Sequence, residues 1–151
     1  MTGKAYKNIL VPFDDSQFSR KAFETAKILA KSFGSRLHIV TVVDISGVVS
    51  PGMIRSEDRK AIRQIKESIK TSAKRMVAEK EEECKAEGIP ASGWVLDGPV
   101  ANEILKFAKQ RNMELIIIGS RGLSGLSKIM ALGSVSRRIS EMAPCPVMIV
   151  R

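Results

Sequence analysis

Short apolar runs alternate with segments of helical periodicity along this chain, and the alternation restricts the possible folds more than any other feature of the sequence. Five runs rich in Val, Ile and Leu have the length and composition of β-strands. The second run, LHIVTVVD, is almost continuously apolar, which is typical of a parallel strand that is covered on both faces. We therefore predict a parallel sheet whose strands lie within residues 7–13, 37–44, 92–98, 113–119 and 145–150.

Between the strands, four segments place apolar residues at the spacing of an amphipathic helix. Ser16 is a favourable cap for the first helix, and Gly34 ends its pattern. The other helices are predicted over 56–87, 100–110 and 134–143. The side chains predicted to form their apolar faces are Ile62, Ile65, Ile69, Ala73 and Met76 in the second helix, Val100, Ile104 and Phe107 in the third, and Val135, Ile139 and Met142 in the fourth.

This order of elements predicts a doubly wound α/β domain, because each crossover between parallel strands returns over the sheet with the same hand and the helices cover both faces. A chain of 151 residues has the size of one such domain, spanning residues 1–151. Ligands of such sheets bind beyond the carboxyl ends of the strands, where the strand order reverses. The loops after the first and fourth strands, which hold Asp14 and Gly119, are therefore the expected site.

The charge and the residue composition narrow the possible partners. Lys and Arg outnumber Asp and Glu by 25 to 16, and the resulting net charge of +9 favours anionic partners such as nucleotides, nucleic acids or acidic surfaces. Aromatic residues make up only 5% of the chain, so we do not expect direct nucleic-acid binding.

The single histidine, His38, lies in a core-like strand, and Cys84 and Cys145 are expected to be free thiols, so no metal site is predicted. No apolar run is long enough for a membrane span or a signal peptide, and we expect a cytoplasmic protein.

A stretch rich in glycine and serine, GSRGLSGLSKIMALGSVS, follows the fourth strand. Glycines let backbone amides approach an oxyanion without an intervening side chain, and the first amides of a helix attract phosphate. Arg121 and Lys128 add positive charge to the stretch. The alternative is that the glycines only turn the chain toward an ordinary serine-capped helix. The sequence contains neither GxxxxGK[ST] nor a GxGxxG after the first strand, which excludes a Walker-type or dinucleotide-binding site.

Four motifs, VPFDDS, VVD, GSRGLSGL…LGSVSRRI and APCPVMIV, resemble those of the universal stress protein family, and the resemblance covers essentially the whole chain. It implies a strand order of 3-2-1-4-5 and a homodimer. The ATP-binding branch of that family is marked by G-x-x-G, nine residues and then G-[S/T]. The resemblance thus assigns Gly119, Gly122, Gly133 and Ser134 to a phosphate and ribose cradle, with Val135 supplying a backbone amide.

The resemblance also assigns residues in the loops after the first two strands. Asp14 matches the acidic residue that faces the nucleotide, Pro12 precedes it, and Val42 matches the position whose backbone contacts adenine. The implied ligand is ATP, ADP or AMP, with any Mg²⁺ held mostly by phosphate oxygens. Ten residues, 123–132, separate the second and third motif glycines here, where the family has nine. One more loop residue costs little closure entropy, so both glycines can still lie at the ends of their elements.

These patterns leave three hypotheses for the function. The first is a nucleotide-dependent stress-response regulator that acts on an unidentified protein partner. Its ATP hydrolysis is expected to be slow, because no second side chain orients a general base. The second is a phosphoacceptor domain of the response-regulator kind, suggested by Asp14 and Asp15, with Asp97 as another acceptor. It is disfavoured because the fifth strand is followed only by Arg151, which leaves no place for the required lysine. The third is a dimeric interaction module without nucleotide, in which the apolar last strand, 146–150, pairs with the same strand of a second subunit.

Overall fold

The computed structural model describes residues 5–46, 56–122 and 132–151. Its elements are β1 (Asn8–Pro12), α1 (Gln17–Phe33), β2 (Arg36–Val43), a 3₁₀ turn (Ser56–Asp58), α2 (Arg59–Ala86), β3 (Ala91–Asp97), α3 (Val100–Gln110), β4 (Leu115–Gly119), α4 (Ser134–Met142) and β5 (Val147–Val150). The strands form one five-stranded sheet in the order β3-β2-β1-β4-β5, and all neighbours are parallel. The predicted architecture and the strand order implied by the resemblance are confirmed.

Helices cover both faces of the sheet, as predicted. Successive residues of a strand point to opposite faces. In β1, β2 and β4 the odd-numbered apolar residues pack under α1 and α2, and the even-numbered ones pack under α3 and α4. The central strands are therefore apolar on both sides, which explains the continuous runs of Val, Ile and Leu in the sequence.

Both ends of α1 follow the sequence signals that predicted them. The Ser16 hydroxyl accepts a hydrogen bond from the Ser19 N–H at 3.1 Å and caps the helix. Gly34 has a φ of 69° and donates its N–H to the Ala30 carbonyl. Glycine adopts this left-handed conformation without a steric penalty, so the helix ends there.

The predicted apolar stripe of α2 is wrong at one of its five residues. Ile65 is 47% exposed. Ile62 is half-buried, and Ile69 packs against the cluster of Val43 and Ala73. Lys70 forms an ion pair at 3.1 Å with Asp97, the last residue of β3, so Ile65 lies more than one turn before the point where α2 meets the end of that strand. Along the rest of the helix, the buried residues are Ala73, Val77 and Cys84, and the half-buried apolar ones include Ile69 and Met76.

No helix in the described ranges is long and apolar enough to cross a lipid bilayer.

Helix α4 turns a slightly different face to the sheet than its sequence predicted. Ile139 is buried and Val135 packs against the same core, as expected. Met142, however, is 63% exposed, so that part of the prediction is wrong. Ser136 is buried instead, and its hydroxyl donates to the Gly119 carbonyl at 2.6 Å. This hydrogen bond orients the helix so that Ser136 and Ile139 face the sheet.

A buried lysine joins α1 to α2. The Nζ of Lys27 lies 2.6 Å from Glu87 Oε2 and 3.1 Å from Glu83 Oε1 at the end of α2, and 3.1 Å from Glu24 Oε1 on its own helix. Burial lowers the pKa of Lys27, but its hydrogen bonds to the three carboxylates outweigh burial and raise the pKa above its ordinary value. Hydrogen bonds from Lys27 and Lys31 lower the pKa of Glu87 to about 2. Lys27 and Glu87 therefore stay charged over the physiological pH range.

The two edges of the sheet differ in how they are covered. At β3, the N–H of Gly93 donates to Glu81 Oε2 of α2 at 3.1 Å, so a side chain occupies the edge. At β5, the carbonyls of Pro146 and Val150 accept hydrogen bonds from the β4 side. Backbone groups alternate in direction along a strand, so those of Val147 and Ile149 face away from the sheet. β5 therefore presents an apolar strand edge.

Candidate functional site

A cavity of about 370 Å³ lies beyond the carboxyl ends of β1 and β4. These two strands are neighbours in the sheet, but β1 leads into α1 on one face, whereas α4, the helix between β4 and β5, packs on the other. The diverging connections leave a crevice between them, as in other open α/β sheets. The cavity is thus at the place where the sequence predicted a site.

All eight residues predicted for the site line this cavity. They come from the ends of three strands and from the start of α4, which are distant from one another in the sequence. The residues are Pro12, Asp14, Val42, Gly119, Gly122, Gly133, Ser134 and Val135.

Sequence reasoning missed the apolar side of the cavity. This side consists of Val40 and Ile118 from the central strands and Val100 and Ile104 from α3. The helical pattern of α3 predicted that its two residues face the sheet, but no local signal placed them at a cavity. An apolar wall of this kind suits a flat ring better than a phosphate group.

The loop after β1 holds the Asp14 carboxylate at the cavity. Its Oδ1 accepts a hydrogen bond from the Ser16 N–H at 2.9 Å, which directs the carboxylate from the first turn of α1. Asp15 has a φ of 63°, a left-handed conformation that Asp tolerates better than most residues, so the chain turns sharply into the helix. A Cβ built on Gly122 would lie 2.8 Å from Asp14 Oδ2, so the second carboxylate oxygen borders the glycine-rich segment.

The backbone of Val42 faces the cavity because β2 is longer than β1 at this end. The Val40 carbonyl accepts a hydrogen bond from the Phe13 N–H at 2.8 Å, and beyond it β1 has ended. Backbone groups two residues apart on a strand point to the same side. The N–H and C=O of Val42 therefore point toward the space past β1, where they can meet a ligand.

The motif glycines have ordinary backbone conformations. The described glycines with positive φ are at positions 34, 88 and 98, and none of these belongs to the motif. The backbone conformation therefore does not require glycine at 119, 122 or 133. At Gly119 the requirement is packing, because an added Cβ would lie 2.7 Å from the carbonyl carbon of Phe18 in α1.

Gly122 and Gly133 border the open space of the cavity. A Cβ on Gly122 would meet Asp14 Oδ2, and one on Gly133 would have no neighbour closer than the Ser120 carbonyl oxygen at 3.4 Å. Packing of the described residues therefore does not require glycine at position 133. A side chain there would fill the cavity instead.

The start of α4 adjoins the cavity without a side-chain cap. Gly133 is the N-cap residue, with a φ of −65°, and no side chain in the described residues caps this end. The alternative that an ordinary serine caps this helix is wrong, because Ser134 is the first helical residue and Ser136 bonds to Gly119. The Gly133 N–H donates to the Ser120 carbonyl at 2.8 Å, which fixes the helix start beside the end of β4. The first amides of α4 thus lie at the cavity, where their N–H groups can donate hydrogen bonds to an anion.

The charged side chains among the described lining residues are Asp14 and Arg121. The Arg121 guanidinium lies 6.0 Å from the centroid of the Phe18 ring. Lys128 and the residues 123–131, which include most of the ten-residue spacer, lie outside the described residues.

His38 is a core residue and is not part of the cavity lining. Its Nε2 lies 2.9 Å from Asn8 Oδ1, near the start of β2. Burial, together with the positive charges of Arg36 and Arg111, lowers the pKa of His38 to about 4, so the ring is neutral at physiological pH.

The cysteines and carboxylates do not assemble around the cavity. Cys84 and Cys145 are free thiols, and burial raises the pKa of Cys84 to about 11. Within the described ranges, no three His, Cys, Asp or Glu side chains are placed to hold a metal ion.

The sequence model of the universal stress protein family matches residues 5–151. The universal stress protein YxiE of Bacillus subtilis (strain 168) is 37% identical over 155 residues, which cover 97% of this chain and 99% of the relative. The universal stress protein UspA from Lactobacillus plantarum superposes with a TM-score of 0.84 at 25% identity, covering 97% of this chain and 98% of that chain.

Two more distant solved structures of the same fold are nucleotide complexes. The universal stress protein from Archaeoglobus fulgidus in complex with dAMP has a TM-score of 0.66 and 20% identity, covering 97% of this chain and 99% of that chain. A universal stress protein in complex with cAMP has a TM-score of 0.65 and 22% identity, covering 97% and 98% respectively.

Proposed function

Because the chain belongs to the universal stress protein family, we propose that it is a stress-response regulator that binds an adenine nucleotide in the cavity between β1 and β4. The observation that carries this proposal is the convergence of all eight motif residues on one cavity. The dAMP and cAMP complexes of proteins with the same fold support a ligand of this class.

We place the adenine ring on the apolar side of the cavity. Val100, Ile104 and Ile118 provide a surface for a flat ring, and the outward N–H and C=O of Val42 can pair with its polar edge. A volume of about 370 Å³ is within the range of small-molecule sites. We therefore place the base and the sugar in this space, with the phosphates toward the open side.

We place the phosphates between Gly122 and the start of α4. The first amides of α4 and the positive end of its dipole attract an anion. The absence of a Cβ at Gly133 leaves room for a phosphate oxygen to reach these amides. The Asp14 carboxylate borders Gly122 at the edge of this region, where a ribose hydroxyl can donate to it. ATP is our first choice of ligand, with ADP and AMP as the alternatives, and Mg²⁺ would be held mainly by phosphate oxygens.

The proposed role is a switch without rapid turnover. Activation of a water molecule requires a positioned base, and the described lining offers only the Asp14 carboxylate, one oxygen of which is engaged by Ser16. We expect ATP hydrolysis far slower than the typical enzyme rate of about 10 per second. Nucleotide occupancy would instead change a surface that a protein partner recognises.

Calorimetric titration of nucleotide-free protein with MgATP, ADP and AMP tests the proposal. We expect binding in the micromolar range, about −8 kcal/mol. The Gly122→Val, Gly133→Val double variant should lose this binding, because two side chains would occupy the phosphate end. Ser140→Val is the matched control, since Ser140 lies on the exposed side of the same helix. Circular dichroism and thermal unfolding check that each variant is folded.

A native protein that binds no adenine nucleotide would contradict the proposal. The dimeric interaction module would then be the better function. Undiminished binding by the folded double variant would contradict the position that we assign to the phosphates.

We also propose a homodimer in which two copies of β5 pair. The outward backbone groups of Val147 and Ile149 provide the hydrogen bonds, and Met148 is 38% exposed beside them. Met148→Glu should yield monomers, because two like charges would meet across the pair. Light scattering measures the mass, and Lys109→Glu, which reverses an exposed charge on α3, is the control. A Met148→Glu protein that stays dimeric would contradict this interface.

A further inference from the structure

We infer that Arg121 determines how strongly the cavity prefers nucleotides with two or three phosphates over nucleotides with one. The inference rests on the proposed function and deepens it, because it names the residue that responds to the charge of the phosphate chain.

Arg121 is positioned between the two helix starts that border the cavity. It lies between Gly119 and Gly122, and its half-buried side chain lines the cavity. A Cβ on Gly133 would lie 3.5 Å from the Arg121 Cα, so its backbone adjoins the start of α4. The guanidinium lies 6.0 Å from the ring centroid of Phe18, which belongs to the first turn of α1. Arg121 therefore lies at the end of the cavity where we place the phosphates.

The other described groups at this end are neutral or negative. The start of a helix contributes about half a positive charge, which suffices to attract one phosphate group. Each further phosphate adds negative charge, and the Asp14 carboxylate opposes it. Arg121 supplies the cation of the described lining, and a guanidinium can donate two parallel hydrogen bonds to phosphate oxygens. Longer phosphate chains should therefore depend on Arg121 more than AMP does.

The test compares the affinities of ATP, ADP and AMP for the native protein, Arg121→Gln and Arg20→Gln. Arg20 is the matched control because it is an exposed arginine near the same helix start, 3.7 Å from Asp15, and does not line the cavity. Each variant lowers the net charge by one. We expect Arg121→Gln to weaken ATP binding about tenfold or more and AMP binding less than about threefold, as for the loss of a charge-assisted hydrogen bond. Arg20→Gln should leave all three affinities within about threefold of the native values.

The possible results separate this inference from the proposed function. If the native protein binds nucleotides and Arg121→Gln keeps the native ratio of ATP to AMP affinity, the inference is wrong and the proposed function stands. An equal loss of affinity for ATP, ADP and AMP is one case of this result, and it would mean that Arg121 only shapes the cavity. A native protein that binds none of the three would overturn the proposed function, and the inference with it.

Discussion

The two ends of the sheet are built from different kinds of groups. At the carboxyl end, backbone and small residues such as Gly122, Gly133 and Ser134 surround a cavity. Toward the amino end of β2, on the face that α3 covers, large side chains pack against one another. The rings of His38, Trp94 and Phe107 contact one another, with Trp94 and Phe107 centroids 5.5 Å apart, and the Arg111 guanidinium lies 4.0 Å from the Trp94 centroid.

This difference separates stability from binding within one domain. Helix α3 contributes to both ends, with Val100 and Ile104 at the cavity and Phe107 in the aromatic cluster. Close packing stabilises a fold, whereas an open cavity forgoes such contacts. We therefore expect substitutions at the amino end to change the free energy of unfolding without changing nucleotide affinity, and substitutions that line the cavity to do the reverse.

The largest expected effect is at the amino end. Phe107 is buried among His38, Trp94 and Arg111, so Phe107→Ala should lower the free energy of unfolding by about 3–5 kcal/mol. Phe107→Leu, the conservative control, should cost less than about 1.5 kcal/mol. Urea denaturation measures both changes. A large loss of nucleotide affinity in folded Phe107→Leu would break the separation between the two ends.

Gly119 is expected to be the exception at the carboxyl end. Gly119→Ala should lower the free energy of unfolding by about 2 kcal/mol, because its Cβ would lie within 3 Å of the Phe18 backbone and α1 would have to move. Chemical denaturation is again the measurement. Stability equal to that of the native protein would show that α1 adjusts freely at this contact.

The amino end should also lose stability in acid. The pKa of His38 is lowered to about 4 from its ordinary value of 6.5, so the unfolded chain takes up the proton first. The stabilisation is complete above pH 6.5 and is lost as the pH falls toward 4. Relative to His38→Gln, the native protein should lose about 1 kcal/mol or more over this range. Thermal unfolding between pH 7 and pH 4 tests this, and parallel pH profiles would contradict it.

The smallest change in stability is expected at Gly133. Gly133→Ser places a favourable N-cap residue at the start of α4, so the free energy of unfolding should change by less than about 0.5 kcal/mol. The new side chain faces the cavity, and nucleotide affinity should fall several-fold. Paired calorimetry and denaturation experiments are decisive, since unchanged affinity would show that position 133 is not a binding position.

The predictions from sequence succeeded where the signal was local. Ser16 and Gly34 mark the ends of α1 by their own chemistry, and the apolar runs mark strands that are buried on both faces. They failed where the outcome depended on a distant element. Ile65 has the right helical phase but lies more than one turn before the residue of α2 that meets the end of β3, and Met142 is exposed while Ser136 faces the sheet and bonds to Gly119.

The site shows the same limit. The family resemblance assigned the residues that present backbone groups, such as Val42 and Gly133, and all of them line the cavity. The apolar wall was missed, because Val100 and Ile104 look like any other core-facing residues of a helix. The prediction for Gly119 was incomplete for a similar reason, since nothing in the sequence shows that this residue packs against Phe18.

The sequence by itself determined the order of strands and helices and the family, and the resemblance to that family proposed the residues of the site. These properties depend on residue periodicity, on capping residues and on motif spacing, which are local along the chain. Only the tertiary structure decided which side chains close the cavity and which motif glycine is needed for packing. Those properties depend on contacts between distant segments, and such contacts exist only after the helices have packed on the sheet.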